Sequence, residues 1–139
     1  KTKIENAKNR LTGDPLAKCY LPGVPRIMYM EFPFQIFQTP DHIAMTFEWS
    51  QVHRTIYTNG APAPDGIDFW MGDSRGRWEG NTLVVDTTNF PPQQNFRGSS
   101  ENLHVVERFR RADATTINYR FTVDDPTTRI WSRASAAPR

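Results

Sequence analysis

The sequence predicts an all-β protein in which an antiparallel meander closes into a barrel or folds into a two-layer sandwich, preceded by a short N-terminal helix. Eleven prolines and eight glycines divide the 139 residues into short pieces, which favours many short strands over a few long helices. Several of these pieces alternate apolar and polar residues with a period of two, as half-buried strands do. The length suits one domain, residues 1–139, with one sizeable core.

The first 25 residues are predicted to form a helix followed by an irregular arm. Residues 2–11 place Ile4, Ala7 and Leu11 at helical spacing, and the pair of Thr2 and Glu5 has the outline of a capping box. Glycine and proline at 13 and 15 end this helix. The following residues, 15–25, are expected to lie over the body of the protein.

The β body is predicted to span residues 26–132, with a frayed tail at 133–139. Its clearest alternation begins at Ile43, where every second residue is apolar. Gly80 and Asn81 form a plausible two-residue hairpin turn, because both residues tolerate positive φ. The predicted strands are 26–32, 34–38, 43–50, 52–58, 77–79, 82–88, 102–111, 115–123 and a short one at 130–131.

Each long strand has one apolar and one polar face, which allows two arrangements. In the first, the apolar faces point inward and the polar faces meet solvent. In the second, polar faces line a cavity that contains Glu48, Asp86, His104, Arg108 and Arg120. Glu107 is exceptional because it shares the apolar face of its strand with Leu103, Val105 and Phe109. Its burial would require a cationic partner, and Arg75 and Arg77 are the candidates.

Composition argues against several classes of partner. The formal net charge is only +2, and acidic residues dilute the densest basic region, around Arg108, Arg110, Arg111 and Arg120, so we expect no nucleic-acid partner. No apolar run approaches 18 residues, so we expect no membrane span.

Neither a metal nor another cofactor is expected. The three histidines, at 42, 53 and 104, lack the spacing that puts two ligands on one face. The single cysteine, Cys19, has no local base to activate it, and we interpret it as a semi-buried small hydrophobe.

The leading functional hypothesis is the binding of a carbohydrate or another small organic ligand. Aromatic residues make up 12% of the chain, and aromatic rings grouped with charged side chains favour sugar rings and other flat groups. The candidate ligand-binding residues are Trp70, Asp73, Arg75, Arg77, Trp78 and Glu79.

Two alternatives stay open. One is a hydrolase or lyase acting in a polar barrel cavity, in which His104 or Glu107 acts as the acid or base. Arg75 or Arg108 would stabilise a developing anion there. The other is a structural or interaction module whose edge strands pair with another chain, for example in a homo-oligomer. Neither alternative has a recognisable catalytic or docking motif.

Four motifs, in order along the chain, resemble a functionally uncharacterised family of exported β-rich proteins of soil bacteria. They are DPLAKC with PGVPR (14–26), MGDSRGRWEGNTLVVDTTNF (71–90), LHVVERFRR (103–111) and DDP (124–126). The resemblance implies a secreted or periplasmic, bacterial setting and no particular activity. Residues 58–64 depart from it, since the family has Asp-Gly-Arg-x-His-Pro there. The Trp-Glu-Gly turn is similar to one in lipocalin-like barrels, a weaker likeness of fold.

Overall fold

A computed structural model describes residue 4, residues 8–94 and 96–126, and the strand at 132–136. The fold is all-β, as predicted, and the strands form one sheet in which every strand neighbours the next along the chain. The short helices are α1 (Arg10–Gly13) and the 3-10 helices Pro15–Lys18, Arg26–Tyr29 and Trp49–Gln51. The strands are β1 (Phe34–Gln38), β2 (His42–Phe47), β3 (His53–Tyr57), β4 (Asp73–Glu79), β5 (Thr82–Thr88), β6 (His104–Arg111), β7 (Ile117–Asp124) and β8 (Ser132–Ala136).

The sheet curls into a half-barrel with β1 and β8 at its two edges. All neighbouring strands are antiparallel except β3 and β4, which pair in parallel through Ile56 opposite Ser74 and Tyr57 opposite Arg75. The prediction of a purely antiparallel meander is therefore wrong at this junction, where residues 58–72 form the long return that a parallel pair requires. The two-layer sandwich is also wrong, because the described strands belong to one sheet. Closure into a lipocalin-like barrel is not confirmed.

The apolar faces of the strands point into the concave side of the sheet. Val105 and Glu107 of β6 are fully buried there, while Arg108 on the other face is exposed. The first of the two predicted arrangements is thus confirmed, and the polar-lined cavity is wrong. The core combines Ile43, Met45, Phe47, Ile56, Leu83, Val85, Val105, Phe121 and Val123 of the strands with Val24, Ile27, Phe90, Phe96 and Leu103 from outside them.

The arm before β1 packs into one end of the half-barrel, and part of it, Pro15–Lys18, is a 3-10 helix rather than irregular chain. Residues 22–25 are buried, and the ring of Tyr29 stacks on Phe121 at 6.1 Å. The predicted strand at 26–32 is wrong, because residues Arg26–Tyr29 form a 3-10 helix. The consecutive residues Ile27 and Met28 of this helix are both buried in the core. A strand would point them to opposite faces.

The remaining predictions for the chain ends have mixed outcomes. The strand predicted at 130–131 lies outside the described residues, and the helix predicted at 2–11 lies partly outside them. The helix that the structure describes there is Arg10–Gly13, and the predicted N-terminal helix is not confirmed. Part of the predicted tail is ordered, because β8 supplies partners for the edge of β7. Cys19 is exposed rather than semi-buried, and it ends the first 3-10 helix with φ +62°. No helix in the described part is long and apolar enough to span a bilayer.

The hairpin predicted around Gly80 and Asn81 is confirmed. Glu79 lies directly opposite Thr82, so the loop has two residues. Gly80 supplies the positive φ, +61°, that the reversal requires. This hairpin extends the sheet at the end that the arm leaves open.

Gly76 leaves room in the concave face for a neighbouring core side chain. A Cβ at this position would lie 2.8 Å from Cγ2 of Ile56 and 3.3 Å from Cδ1 of Leu83. We therefore expect Gly76→Ala to lower the free energy of unfolding by about 1–3 kcal/mol, because overpacking displaces both side chains. Urea unfolding measures the change. The control is Gly13→Ala, whose new Cβ lies 3.7 Å from its nearest neighbour; equal losses in both variants would contradict the prediction.

Candidate functional site

The concave face has a hollow of about 200 Å³ at the end of the half-barrel that the arm does not fill. Every strand from β1 to β7 contributes to its walls, because the curl of the sheet brings their inward-facing residues together. The lining is mainly apolar and consists of Ile36, Gln38, Ile43, Met45, Ile56, Trp78, Asn81, Leu83, Phe109, Arg111 and Ile117.

Trp78 is the largest aromatic ring of this hollow. Its side chain is 51% exposed although it lies on the concave face, directly opposite the buried Leu83. Ile36 and Ile117, from the strands at opposite sides of the sheet, are also exposed by about 40%. Apolar surface on an inward face is thus left uncovered, which is typical of binding sites.

A buried polar network lies deeper along the same strands. The guanidinium of Arg54 binds both carboxylate oxygens of Glu107 and donates to Ser74 Oγ at 2.9 Å and Thr87 Oγ1 at 3.0 Å. The hydroxyl of Tyr119 donates to Glu107 Oε1 at 2.8 Å. The network therefore takes one side chain from each of the five consecutive strands β3 to β7.

This network satisfies the charges that it buries. Arg54 is 2% exposed and Glu107 is fully buried, so each would be costly without its partner. Burial, together with the adjacent Glu107 carboxylate, raises the pKa of Tyr119 well above its usual range, which keeps its hydroxyl a neutral donor. The sequence correctly predicted that Glu107 needs a cationic partner but named the wrong arginines.

The register explains that error. On the concave face, Glu107 lies beside Val85 and Phe121, and the β4 residue in the same row is Gly76. Arg75 and Arg77 flank this glycine and project from the convex face. The partner, Arg54, alternates with Val52 and Ile56 on an otherwise apolar face; that position is the signal in the sequence that would have identified it.

Arg75 and Asp73 of the predicted ligand-binding cluster bind each other. Nε and Nη2 of Arg75 donate to the two carboxylate oxygens of Asp73, and Nη1 donates to the carbonyl of Ala61 at 3.2 Å. The same guanidinium lies 4.5 Å from the centre of the Tyr57 ring. These contacts hold the return loop against the convex face of β3 and β4.

A ladder of ion pairs continues along the convex face. Arg77 bridges Asp86 and Glu79, and Arg108 Nη1 donates to Glu79 Oε2 at 2.8 Å. His104 Nε2 lies 3.0 Å from Asp86 Oδ1. The bond from Arg108 is the main cause that lowers the pKa of Glu79. Each of these groups is at least partly exposed, so the ladder stabilises the fold little.

The structure does not bring the predicted site residues together. Of the proposed catalytic residues, His104 and Arg108 lie on the convex face and Glu107 is buried on the concave face. Trp78 lies in the hollow. Trp70 is half-buried beyond the other end of β4, where Nε1 donates to the carbonyl of Leu21 at 2.8 Å and its ring stacks on Tyr20.

Sequence reasoning missed most of the hollow. The lining residues that it did not name as site residues include three near the turn between β6 and β7, namely Phe109, Arg111 and Ile117, and Ile36 of β1. The sequence predicted a strand for each of these residues, but alternation does not show the curvature that brings seven strands together around the hollow. Within the described ranges, no three histidine, cysteine or acidic side chains group in a way that could hold a metal ion.

Comparison with known proteins returned no match among family models, curated proteins or solved structures.

The buried ion pair generates a prediction about stability. Glu107→Gln leaves the Arg54 charge buried with a neutral partner, so we expect the free energy of unfolding to fall by about 3–5 kcal/mol. Chemical unfolding followed by circular dichroism measures it. The control is Glu79→Gln on the exposed ladder, which we expect to shift the midpoint little. Unfolding midpoints that fall equally in the two variants would show that the buried pair stabilises the fold no more than the exposed ladder does.

Proposed function

We propose that the protein binds a small, mainly apolar organic molecule in the hollow around Trp78. The observation that carries this proposal is an inward-facing apolar surface, contributed by seven strands, that the rest of the described chain leaves uncovered. A hollow of about 200 Å³ is comparable to the roughly 150 Å³ cavity that accommodates benzene in an engineered protein. The proposed ligand therefore has about one ring inside the hollow.

The composition of the lining favours an apolar ring over a sugar. Protein sites for sugars combine an aromatic platform with several hydrogen-bonding side chains, whereas the polar side chains here are Gln38, Asn81 and Arg111 at the rim. The charged residues that would have served a sugar, Asp73 and Arg77 among them, lie on the convex face. A carbohydrate stacked on Trp78 stays a prediction of the sequence. The exported, bacterial setting likewise rests on the family resemblance and is part of the proposal.

The burial and the hydrogen bonds of Glu107 argue against a role for it as a catalytic acid or base. Both carboxylate oxygens are bound by Arg54, and one also accepts from Tyr119. A general base must reach the proton that it removes, and Glu107 is fully buried. His104 is accessible, but its partner Asp86 belongs to the convex ladder rather than to a hollow.

The edge strand β1 favours a second function, pairing with another copy of this chain. All five of its residues, Phe34–Gln38, are exposed, and none carries a charge. Edge strands of soluble proteins usually bear charges, a proline or a bulge that discourages pairing. An antiparallel pair centred on Ile36 would place Phe34 opposite Gln38 and Gln35 opposite Phe37, so each copy meets the other through the same uncharged surface.

The ligand proposal predicts that Trp78→Ala weakens binding of indole or toluene at least about tenfold, a change of about 1.4 kcal/mol, because the ring loses its stacking partner. Titrations followed by the methyl NMR signals of Ile36, Leu83 and Ile117 measure this affinity. The control Phe69→Ala removes a 40% exposed ring outside the hollow and should bind as the wild type does. Shifts confined to other methyl groups, or no saturation with any ring, would refute the proposal.

The pairing proposal predicts a dimer at micromolar concentrations that Phe37→Lys converts to monomer. The substitution removes two exposed rings from the new strand pair and places two lysines on the same face as diagonal neighbours, within reach of each other's charge. Light scattering coupled to size-exclusion chromatography gives the mass. Ile67→Lys is a matched control, since Ile67 is 51% and Phe37 53% exposed but Ile67 lies in the return loop. A monomeric wild type would contradict the proposal.

A further inference from the structure

Arg111 is the charged side chain that lines the hollow. It is the last residue of β6 and lies directly opposite Ile117 of β7. Its alternation with Phe109 and Glu107 places it on the concave face, whereas Arg110 and Arg108 belong to the convex face. The hollow therefore has one cationic point on an otherwise apolar and neutral lining.

The turn between β6 and β7 fixes the guanidinium of Arg111. Nε donates to the carbonyl of Asp113 at 2.9 Å, and Nη2 donates to the carbonyl of Ala114 at 3.2 Å. These bonds use two of the five N–H donors of an arginine. The side chain is held at the rim, and the remaining donors, including those of Nη1, have no acceptor among the described residues.

The positive charge of Arg111 has no carboxylate partner in the described part of the chain, in contrast to Arg77 and Arg108. Asp113, two residues away, is engaged elsewhere, since its Oδ1 accepts from the N–H of Thr115 at 2.8 Å and from its hydroxyl at 3.0 Å. These bonds lower the pKa of Asp113 and hold its carboxylate on the turn. The hydrogen bonds that Arg111 makes to this turn both go to main-chain carbonyls.

We propose that the ligand of the hollow is a small organic carboxylate, with its ring against Trp78 and its carboxylate on Arg111. This inference rests on the proposed function and names the chemical class of its ligand. Three N–H groups of this guanidinium remain, and one on Nη1 beside one on Nη2 matches the geometry of a carboxylate. The apolar walls exclude water from one side of the pair and strengthen it relative to an exposed pair. The amides of Gln38 and Asn81 at the same rim supply further donors.

A pair of matched probes tests this inference, namely indole-3-acetate and its neutral analogue indole-3-ethanol. Affinities are measured by calorimetry for the wild type, Arg111→Gln and Arg111→Lys. The wild type should bind the acid at least tenfold more tightly than the alcohol. Arg111→Gln should weaken binding of the acid to the level of the alcohol and affect the alcohol far less. Arg111→Lys should restore only part of the preference, because lysine lacks the planar fork.

Arg110→Gln is the matched control, because Arg110 is the neighbouring exposed arginine on the convex face. It should retain the preference of the wild type for the acid. Equal affinity of the wild type for both probes, an equal loss for both in Arg111→Gln, or an equal effect of Arg110→Gln would overturn the inference while leaving ligand binding in place. Failure of both probes to bind would refute the proposed function itself, and the inference with it.

Discussion

The buried pair of Arg54 and Glu107 is the constraint on which the rest of this structure depends. The two residues belong to β3 and β6, which are separated in the sheet by two whole strands. Their side chains can meet only if the sheet curls, so the ion pair and the half-barrel require each other. Ser74 and Thr87, from the strands between them, complete the coordination of the guanidinium, and Gly76 leaves the space next to them open.

The same pair divides the concave side into two regions. Toward the arm, the rings of Phe96 and Phe121 and the 3-10 helix Arg26–Tyr29 fill the interior. Toward the Gly80 hairpin, nothing in the described chain covers the apolar residues. The groups of the Arg54–Glu107 network are satisfied by hydrogen bonds to one another. An apolar hollow can therefore lie next to the network without leaving a buried polar group unpaired. The hollow and the network are thus compatible neighbours.

Much of this arrangement was readable from the sequence. Alternation predicted the all-β class and the shared faces of residues in the strands that became β5, β6 and β7. The turn residues predicted the hairpin at Gly80, and the position of Glu107 on an apolar face predicted that its burial would need a cationic partner. Alternation does not, however, show how strongly a sheet curls. It did not identify Arg54, which lies three strands away from Glu107 in the sheet, as the partner of that carboxylate. The parallel junction of β3 and β4 was equally hidden, because strand direction depends on the path of the return loop.

The charges that the sequence predicted as a binding site differ from Arg111 in one respect, which is whether their hydrogen-bonding groups already have partners within the protein. The dense charges around Arg77 drew attention in the sequence, but register places acids beside the arginines, so the ladder satisfies itself. In the sequence, Arg111 belongs to the basic region of Arg108, Arg110 and Arg120. In the structure it is the member of that region that faces inward. The carboxylate closest to it in sequence, that of Asp113, accepts from Thr115 instead. Charge density is visible in a sequence, whereas an unmet hydrogen-bonding capacity emerges only from the fold. The latter is what a ligand recognises, because a ligand gains most where the protein has not supplied its own partner.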